Sequence, residues 1–561
     1  MNLYINRERL SQAKMLEWLR CDLPLNEMVT VYQFDGNSLY SHDIYCALIP
    51  NDQIERTLSN SSWDLSHGQG LPGAMVHHFG DDADATYLRF GNDGGIEPLV
   101  IDREFYGIHE DYKEISEEFR LFHSLYQDRK QDHYLKIDDD GNEHLVGIVE
   151  PTRVRVRLKE ILQLLAIKEM HLSIQFDCRE QSENTLEELG LVEGGSDQRD
   201  GLSCWSLCYG DLGGIGSHRA FSRLLGVRLI EPLPKSKSGF WGFADEPTKR
   251  YVDFIIGVNK NGDNVEYTSN PDALANYFGA NPGAPHDLTA VSFRKEVLDK
   301  YYHQPGKYFI SDGILKCGRL WSMELDNHHD DKVCTWLKDL GSSLSYEEQL
   351  HWRAHNISPD GGVSQTYLKR QILGQSTDSD RPEHLFRQRY HDLVKSCNEY
   401  LGWQLLLPLD ADDEHHFQCV RISATDEQRD FDELVLGLTK ILIDSLNEKQ
   451  LKSLIPPDQY DDLTGSISRL EAALSARGVT DAGDHITFLR NLQNLRSASA
   501  AHRKGKKYRK ITTEFGVDSH TLRTVFAEIL LNALVLLDYL VGVVKSDQLS
   551  EAAPDSSEGT T

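Results

Sequence analysis

One stretch of the chain gathers an arginine, a histidine and a run of bases within fifteen residues: Arg496-Ser-Ala-Ser-Ala-Ala-His502, then RKGKKYRK at 503–510. These types suit phosphate chemistry. Histidine titrates near neutral pH and can give or take a proton. Arginine stays charged and presents a fork that fits phosphate oxygens. On a helix, six residues advance about 600°, leaving Arg496 and His502 roughly 120° apart around the axis. The small residues between them let another helix, or a substrate backbone, come close. Arg503, Lys504, Lys506, Lys507, Arg509 and Lys510 put six positive charges in eight residues. That run is a local phosphate-attracting patch. A duller arrangement is also open: Arg496 pairs with an acid such as Asp444, and His502 caps the helix C-terminus through its dipole. The same spacing recurs at Arg103 and His109, at an expected strand end without basic neighbours, so spacing alone carries little.

Four helices are expected to position this stretch. Residues 434–446 (LVLGLTKILIDSL) have helical periodicity. Residues 466–476 form a second helix, with Gly478 placed to stop it. Residues 484–502 form a third, with Asp484 as N-cap. Residues 520–545 form a fourth and very apolar one. Four helices joined by short loops read as a bundle.

With that motif near the end of the third helix, the region resembles the HEPN superfamily. The resemblance covers about 431–545. It implies a four-helix bundle that pairs with a second copy, so that Arg and His of two protomers form one composite site. It further implies metal-independent RNA cleavage without a cofactor. In that reading His502 works as acid/base on the 2′-hydroxyl or the leaving oxygen. Arg496 stabilises charge on the scissile phosphate, and RNA contacts the basic run. This chain departs from many catalytic members, which carry Asn, Asp or His directly after the Arg where it has Ser497. The alternative is a non-catalytic dimerisation module attached to a ligand- or protein-binding sensor.

The rest of the chain reads as a mixed α/β body, making the whole an α+β multidomain protein. Residues 1–180 alternate β and helical patterns: strands at 28–34, 85–90, 98–105 and 171–176, helices at 114–126 and 154–168, and a hairpin at 137–149 turning at Asp140-Gly141. Residues 181–290 are Gly-rich, with a second hairpin at 251–270 turning at Asn261-Gly262. Residues 291–427 form a mixed α+β regulatory segment. Within it, VSFRKEVLDKYY, LSYEEQLHWRAHNISPDGGVS and LGWQLLLPL resemble parts of large uncharacterised bacterial proteins. By analogy with phage-defence and toxin-like proteins, the body is expected to sense an unknown trigger and the bundle (428–545) to act. Residues 546–561 read as a disordered acidic tail.

Other clusters carry less. Cys204 and Cys208 have CxxxC spacing but no second pair, which makes a poor zinc site. His77-His78, His328-His329 and His415-His416 are neighbours whose side chains diverge, so each pair is ill placed to share one metal. The glycines of 211–218 lack the Lys of a P-loop. The acids of 79–84 read as a solvated turn, and Lys235, Lys237 and Trp241 as a loop.

Composition narrows the classes. The 561 residues carry 59 basic and 88 acidic side chains, a net of −29. Residues 431–545 are near neutral at +1, against −26 over residues 1–430. That shift places a domain boundary near 428. The overall charge repels nucleic acid and excludes a general RNA- or DNA-coating protein, while leaving room for a local basic site. Nine scattered cysteines read as reduced cytosolic thiols. The apolar run 525–544 contains Glu528, Asn532 and Asp538, so it reads as a bundle helix with no membrane partner. A cytoplasmic protein is expected.

Overall fold

Val and Ile at alternate positions make strands, and in the N-terminal half they build one large sheet. The computed structural model describes residues 2–59, 72–79, 82–92, 94–213, 219–240, 242–243, 248–460, 463–500, 520–546 and 548–549. The chain forms two units, Met1–Thr248 and Lys249–Thr561. The sheet of the first unit contains β1 (Met28–Gly36), β2 (Tyr40–Ile49), β3 (Tyr126–Asp128), β4 (His133–Ile137), β5 (Glu143–Glu150) and β6 (Arg153–Arg157). It continues through β7 (His171–Ser182), β8 (Gly194–Arg199), β9 (Ser203–Asp211) and β10 (Ala220–Ile230). Their order is β8-β9-β10-β7-β2-β1-β6-β5-β4-β3, with every neighbouring pair antiparallel.

β7 is the spine. It pairs with β2 from His171 opposite Ile49 to Glu180 opposite Tyr40. It pairs with β10 from Leu172 opposite Ile230 to Ser182 opposite Ala220. The longer helices of this unit include α1 (Asn2–Leu10), α2 (Ala13–Arg20) and α3 (Leu158–Lys168). Leu172, Ile174, Phe176 and Cys178 share a core with Leu19 of α2 and Ile161 and Leu164 of α3. Trp18 meets Phe176 edge-on at 6.3 Å. The other alternate set, Ser173, Gln175 and Asp177, is also buried, and Asp177 is clamped by Arg179 and Arg223 at 2.7 Å each.

Some sequence expectations need correction. The helix expected over 154–168 starts late, because Arg-Val-Arg-Val-Arg at 153–157 is β6, with Val154 and Val156 buried alternately. The helix expected over 114–126 is only Glu117–Phe122, capped at Ser116. Residue 180, expected to end a domain, lies inside β7, and β8 to β10 continue the same sheet. Both hairpins form: β4–β5 turns with Gly141 at φ +73°, and Asp253–Val258 pairs with Asn264–Thr268 across a turn with Gly262 at φ +89°. A left-handed φ is where glycine is needed.

The second unit opens with small antiparallel sheets around Phe254, Phe293, Tyr301 and Trp352. It then becomes helical: α4 (Pro382–Ser396), α5 (Gln428–Thr439), α6 (Ser466–Ala476), α7 (Gly483–Ala500) and α8 (Leu522–Lys545). A widened π turn over Lys440–Asp444 extends α5. Helices thus stand at all four expected places. Their inward residues share one core with Phe386, Tyr390 and Leu393 of α4, and with Leu405, Leu406 and Val420. The core therefore crosses the charge boundary at 428. α8 is long and apolar enough to cross a membrane by length and composition, at mean hydropathy 2.0. Its packing is that of a helix buried on one side in the core: Phe526, Ile529, Leu530, Ala533, Leu536, Leu537 and Leu540 are buried, while Glu528, Asn532, Val535 and Asp538 share one exposed stripe.

Candidate functional site

α7 buries Ile486, Leu489, Leu492 and Leu495 in the helical core. The next residue, Arg496, emerges at the surface near the helix end. Its guanidinium donates to both oxygens of Asp444, at 2.8 and 3.0 Å. Asp444 closes the π turn after α5. Both side chains are partly exposed, at 31% and 42%. Water screens such a pair, which is worth about 0.2–1 kcal/mol. Ser497 donates its hydroxyl to the Gln493 carbonyl, a helix-internal bond. His502 and the six bases Arg503, Lys504, Lys506, Lys507, Arg509 and Lys510 lie outside the described residues. The structure thus locates Arg496 and pairs it with the acid named from sequence.

The second unit also contains a dense polar cluster that the sequence only hinted at. The turn after Tyr308–Ser311 supplies Asp312, and the loop after Trp321–Glu324 supplies Asp326, His328 and His329. The adjacent histidines diverge as expected. His328 Nε2 lies 2.9 Å from Asp312, and His329 Nε2 lies 3.1 Å from the fully buried Asp326. The bond to Asp326 raises the His329 imidazole to about 9. Asp326 also accepts from the Ser364 amide and hydroxyl. Arg370 donates to Asp312 at 2.8 Å. Burial pushes the Asp312 carboxyl up, but His328 and Arg370 outweigh it and hold the group well below its usual range. Lys295 donates to the His329 carbonyl at 3.2 Å, and burial lowers its amine to about 8.

α4 faces this cluster with Glu383, His384, Arg387, Gln388 and His391, residues spaced to share one side of a helix. Of these, His384, Arg387, Gln388 and His391 border a cavity of about 310 Å³ together with Asp312, Arg370, Ser379, Phe309 and Phe417. His384 is 92% buried, neither ring nitrogen has a hydrogen-bond partner, and burial lowers it to about 4. Among the described residues no cluster of His, Cys, Asp and Glu has the geometry to hold a metal.

A larger cavity, about 760 Å³, lies in the first unit between α1, α2 and the sheet. Glu180 on β7 is buried and accepts from Arg9 of α1 at 2.7 Å. It also meets His42 Nε2 of β2 at 2.8 Å. Cys178 stands opposite His42 in the β2–β7 register. Burial pushes its thiol up to about 12, which keeps it protonated and a poor nucleophile at neutral pH. The arrangement orients an imidazole without presenting an activated nucleophile beside it.

Among the other motifs, Arg103 ends its strand, as expected, and pairs with Glu114 at 2.6 Å. Cys204 and Cys208 sit unpaired on β9. Residues 214–218 of the Gly-rich turn, residues 80 and 81 of the acidic turn, and Trp241 lie outside the described residues. No family model matches the chain, and neither a curated protein nor a solved structure is significantly similar to it.

Proposed function

We propose that the helices after residue 428 form a HEPN-like bundle and act as a metal-independent endoribonuclease. In this reading the protein is a cytoplasmic effector of toxin-like or phage-defence type, regulated by the residues before the bundle and working as a homodimer. The supporting observation is the position of Arg496. It emerges at the surface near the end of the third of four helices, and its ion pair with the partly exposed Asp444 is one that a phosphate could replace at small cost. His502 follows six residues on, with the basic run behind it to draw in the RNA backbone.

The chemistry asks little else. His502 takes the proton of the 2′-hydroxyl as that oxygen attacks phosphorus, or protonates the 5′-oxygen as it leaves. Arg496 moves from Asp444 to the phosphate and stabilises the charge that grows there. The test is cleavage of tRNA and total RNA by the full chain in excess EDTA. Wild type is expected to cut, and His502→Ala and Arg496→Ala to lose at least a hundredfold while keeping their folded circular dichroism. Equal cleavage by wild type and His502→Ala sinks the proposal. The Asp444 contact also favours a second reading, a non-catalytic dimerisation module, because it gives Arg496 a purely structural partner. That reading predicts an unchanged dimer, and no cleavage, in wild type and both variants.

A further inference from the structure

The cavity against α4 has the features of a ligand site. Its lining holds two arginines with different situations. Arg370 is matched by Asp312, and Asp312 is further matched by His328. Arg387 has no ion pair among the described residues. Its guanidinium is held by carbonyls alone, those of Gln418 at 2.7 Å, Val420 at 2.9 Å and Ile310 at 3.4 Å. Carbonyl dipoles fix the group in place without cancelling its charge. Beside it, the Nε–H of Arg387 and both ring nitrogens of His384 are buried without hydrogen-bond partners. Buried polar atoms are normally satisfied, so three unsatisfied atoms on two residues that line one cavity set this place apart.

The remaining lining limits what that partner is. Ser311, Ser379, Gln388 and His391 offer neutral or weakly basic polar groups. Asp378 is exposed at the mouth. Phe309 and Phe417 supply apolar ring surface. A volume of about 310 Å³ is at the small end for ligand pockets. An uncancelled arginine asks for an anion, and its fork suits a phosphate. The rings ask for a flat apolar part. We propose that this cavity binds a small phosphorylated molecule with a planar ring, of nucleoside monophosphate size, its phosphate on Arg387 and its ring toward Phe417.

The test is calorimetric titration of the full-length protein with AMP, adenosine and inorganic phosphate at fixed ionic strength. AMP is expected to bind with a micromolar dissociation constant, at least tenfold tighter than adenosine, and phosphate to compete with it. Arg387→Gln should weaken AMP at least tenfold. Because Arg387 also braces three carbonyls, a second variant guards against misfolding. Gln388→Trp changes an exposed lining residue and plugs the mouth, and it should abolish AMP binding while leaving the melting temperature within 2 °C or so. The proposal is overturned if AMP and phosphate both fail to bind wild type. It is equally overturned if adenosine binds as tightly as AMP, or if Gln388→Trp retains wild-type affinity. None of these outcomes depends on RNA cleavage.

Discussion

Individual residues carry most of the chemistry and some of the stability. His329 is raised from 6.5 to about 9 by Asp326. Such a shift stabilises the fold fully below pH 6.5, and the contribution is lost as pH rises toward 9. At 1.36 kcal/mol per unit it amounts to at most about 3 kcal/mol. His384 works in the opposite direction. Lowered to about 4, it costs stability as pH falls from 6.5 toward 4, because the unfolded chain takes up the proton first. Urea unfolding of the full chain from pH 4 to 9 is expected to find the second unit most stable between pH 6 and 7. His329→Gln should flatten the alkaline limb only; an unchanged limb would mean the Asp326 contact is not formed in solution. Asp444→Asn is a sharper probe of the Arg496 site. Stability should change by less than about 1 kcal/mol, as for other exposed pairs, and, on the proposed function, RNA affinity should rise severalfold once the competing carboxylate is gone. The Arg496–Asp444 pair could be named from sequence, since both side chains belong to facing surfaces of adjacent helices. The His328–Asp312 pair could not, because Asp312 comes from a separate turn.

Elements record where local pattern and tertiary context agree. Ser466–Ala476 begins and ends as expected because its periodicity, and Gly478 at φ +75° beyond it, point the same way. The 153–168 stretch misled because two periods meet in it: Val154 and Val156 alternate as a strand, and the leucines of α3 follow with a helical repeat. β7 was legible only in its first half, since Asp177, Glu180 and Ser182 beyond Phe176 are buried by neighbours distant in sequence. The sheet also has guarded edges. β3 has three residues, and β8 is the fully exposed Gly-Gly-Ser-Asp-Gln-Arg; short or polar edges of this kind resist pairing with a second sheet. Inside the sheet, a Cβ on Gly226 of β10 would lie 2.4 Å from the Cys204 carbonyl oxygen and 2.5 Å from Trp205 Cβ on β9. Gly226→Ala is therefore expected to destabilise the first unit by about 1–3 kcal/mol, read as an earlier midpoint in its urea transition. A neutral effect would mean that β9 and β10 are farther apart than described.

At the scale of the whole chain, charge and packing draw different boundaries. The jump from −26 to +1 marks 428, yet the helical core takes in Phe386, Tyr390, Leu393 and Leu406 from before it. Charge is a surface property and does not report where a core ends. A fragment of 428–561 would expose the faces that α4 covers, so it is expected to unfold without a cooperative transition and to aggregate. A fragment of 249–561 retains that core and should unfold in one sharp transition; the reverse result would move the boundary back to 428. The same helix has a further consequence. One side of α4 borders a cavity, and the other is built into the core beside α8, the helix with which it packs most extensively. Two equilibria then share one structural part, and free energy passes between them symmetrically. A ligand in the cavity that steadies α4 is expected to slow the opening of α8 to hydrogen exchange. By the same thermodynamic identity, any such coupling runs both ways: a change that locks α8 then tightens the cavity's hold on its occupant by an equal factor.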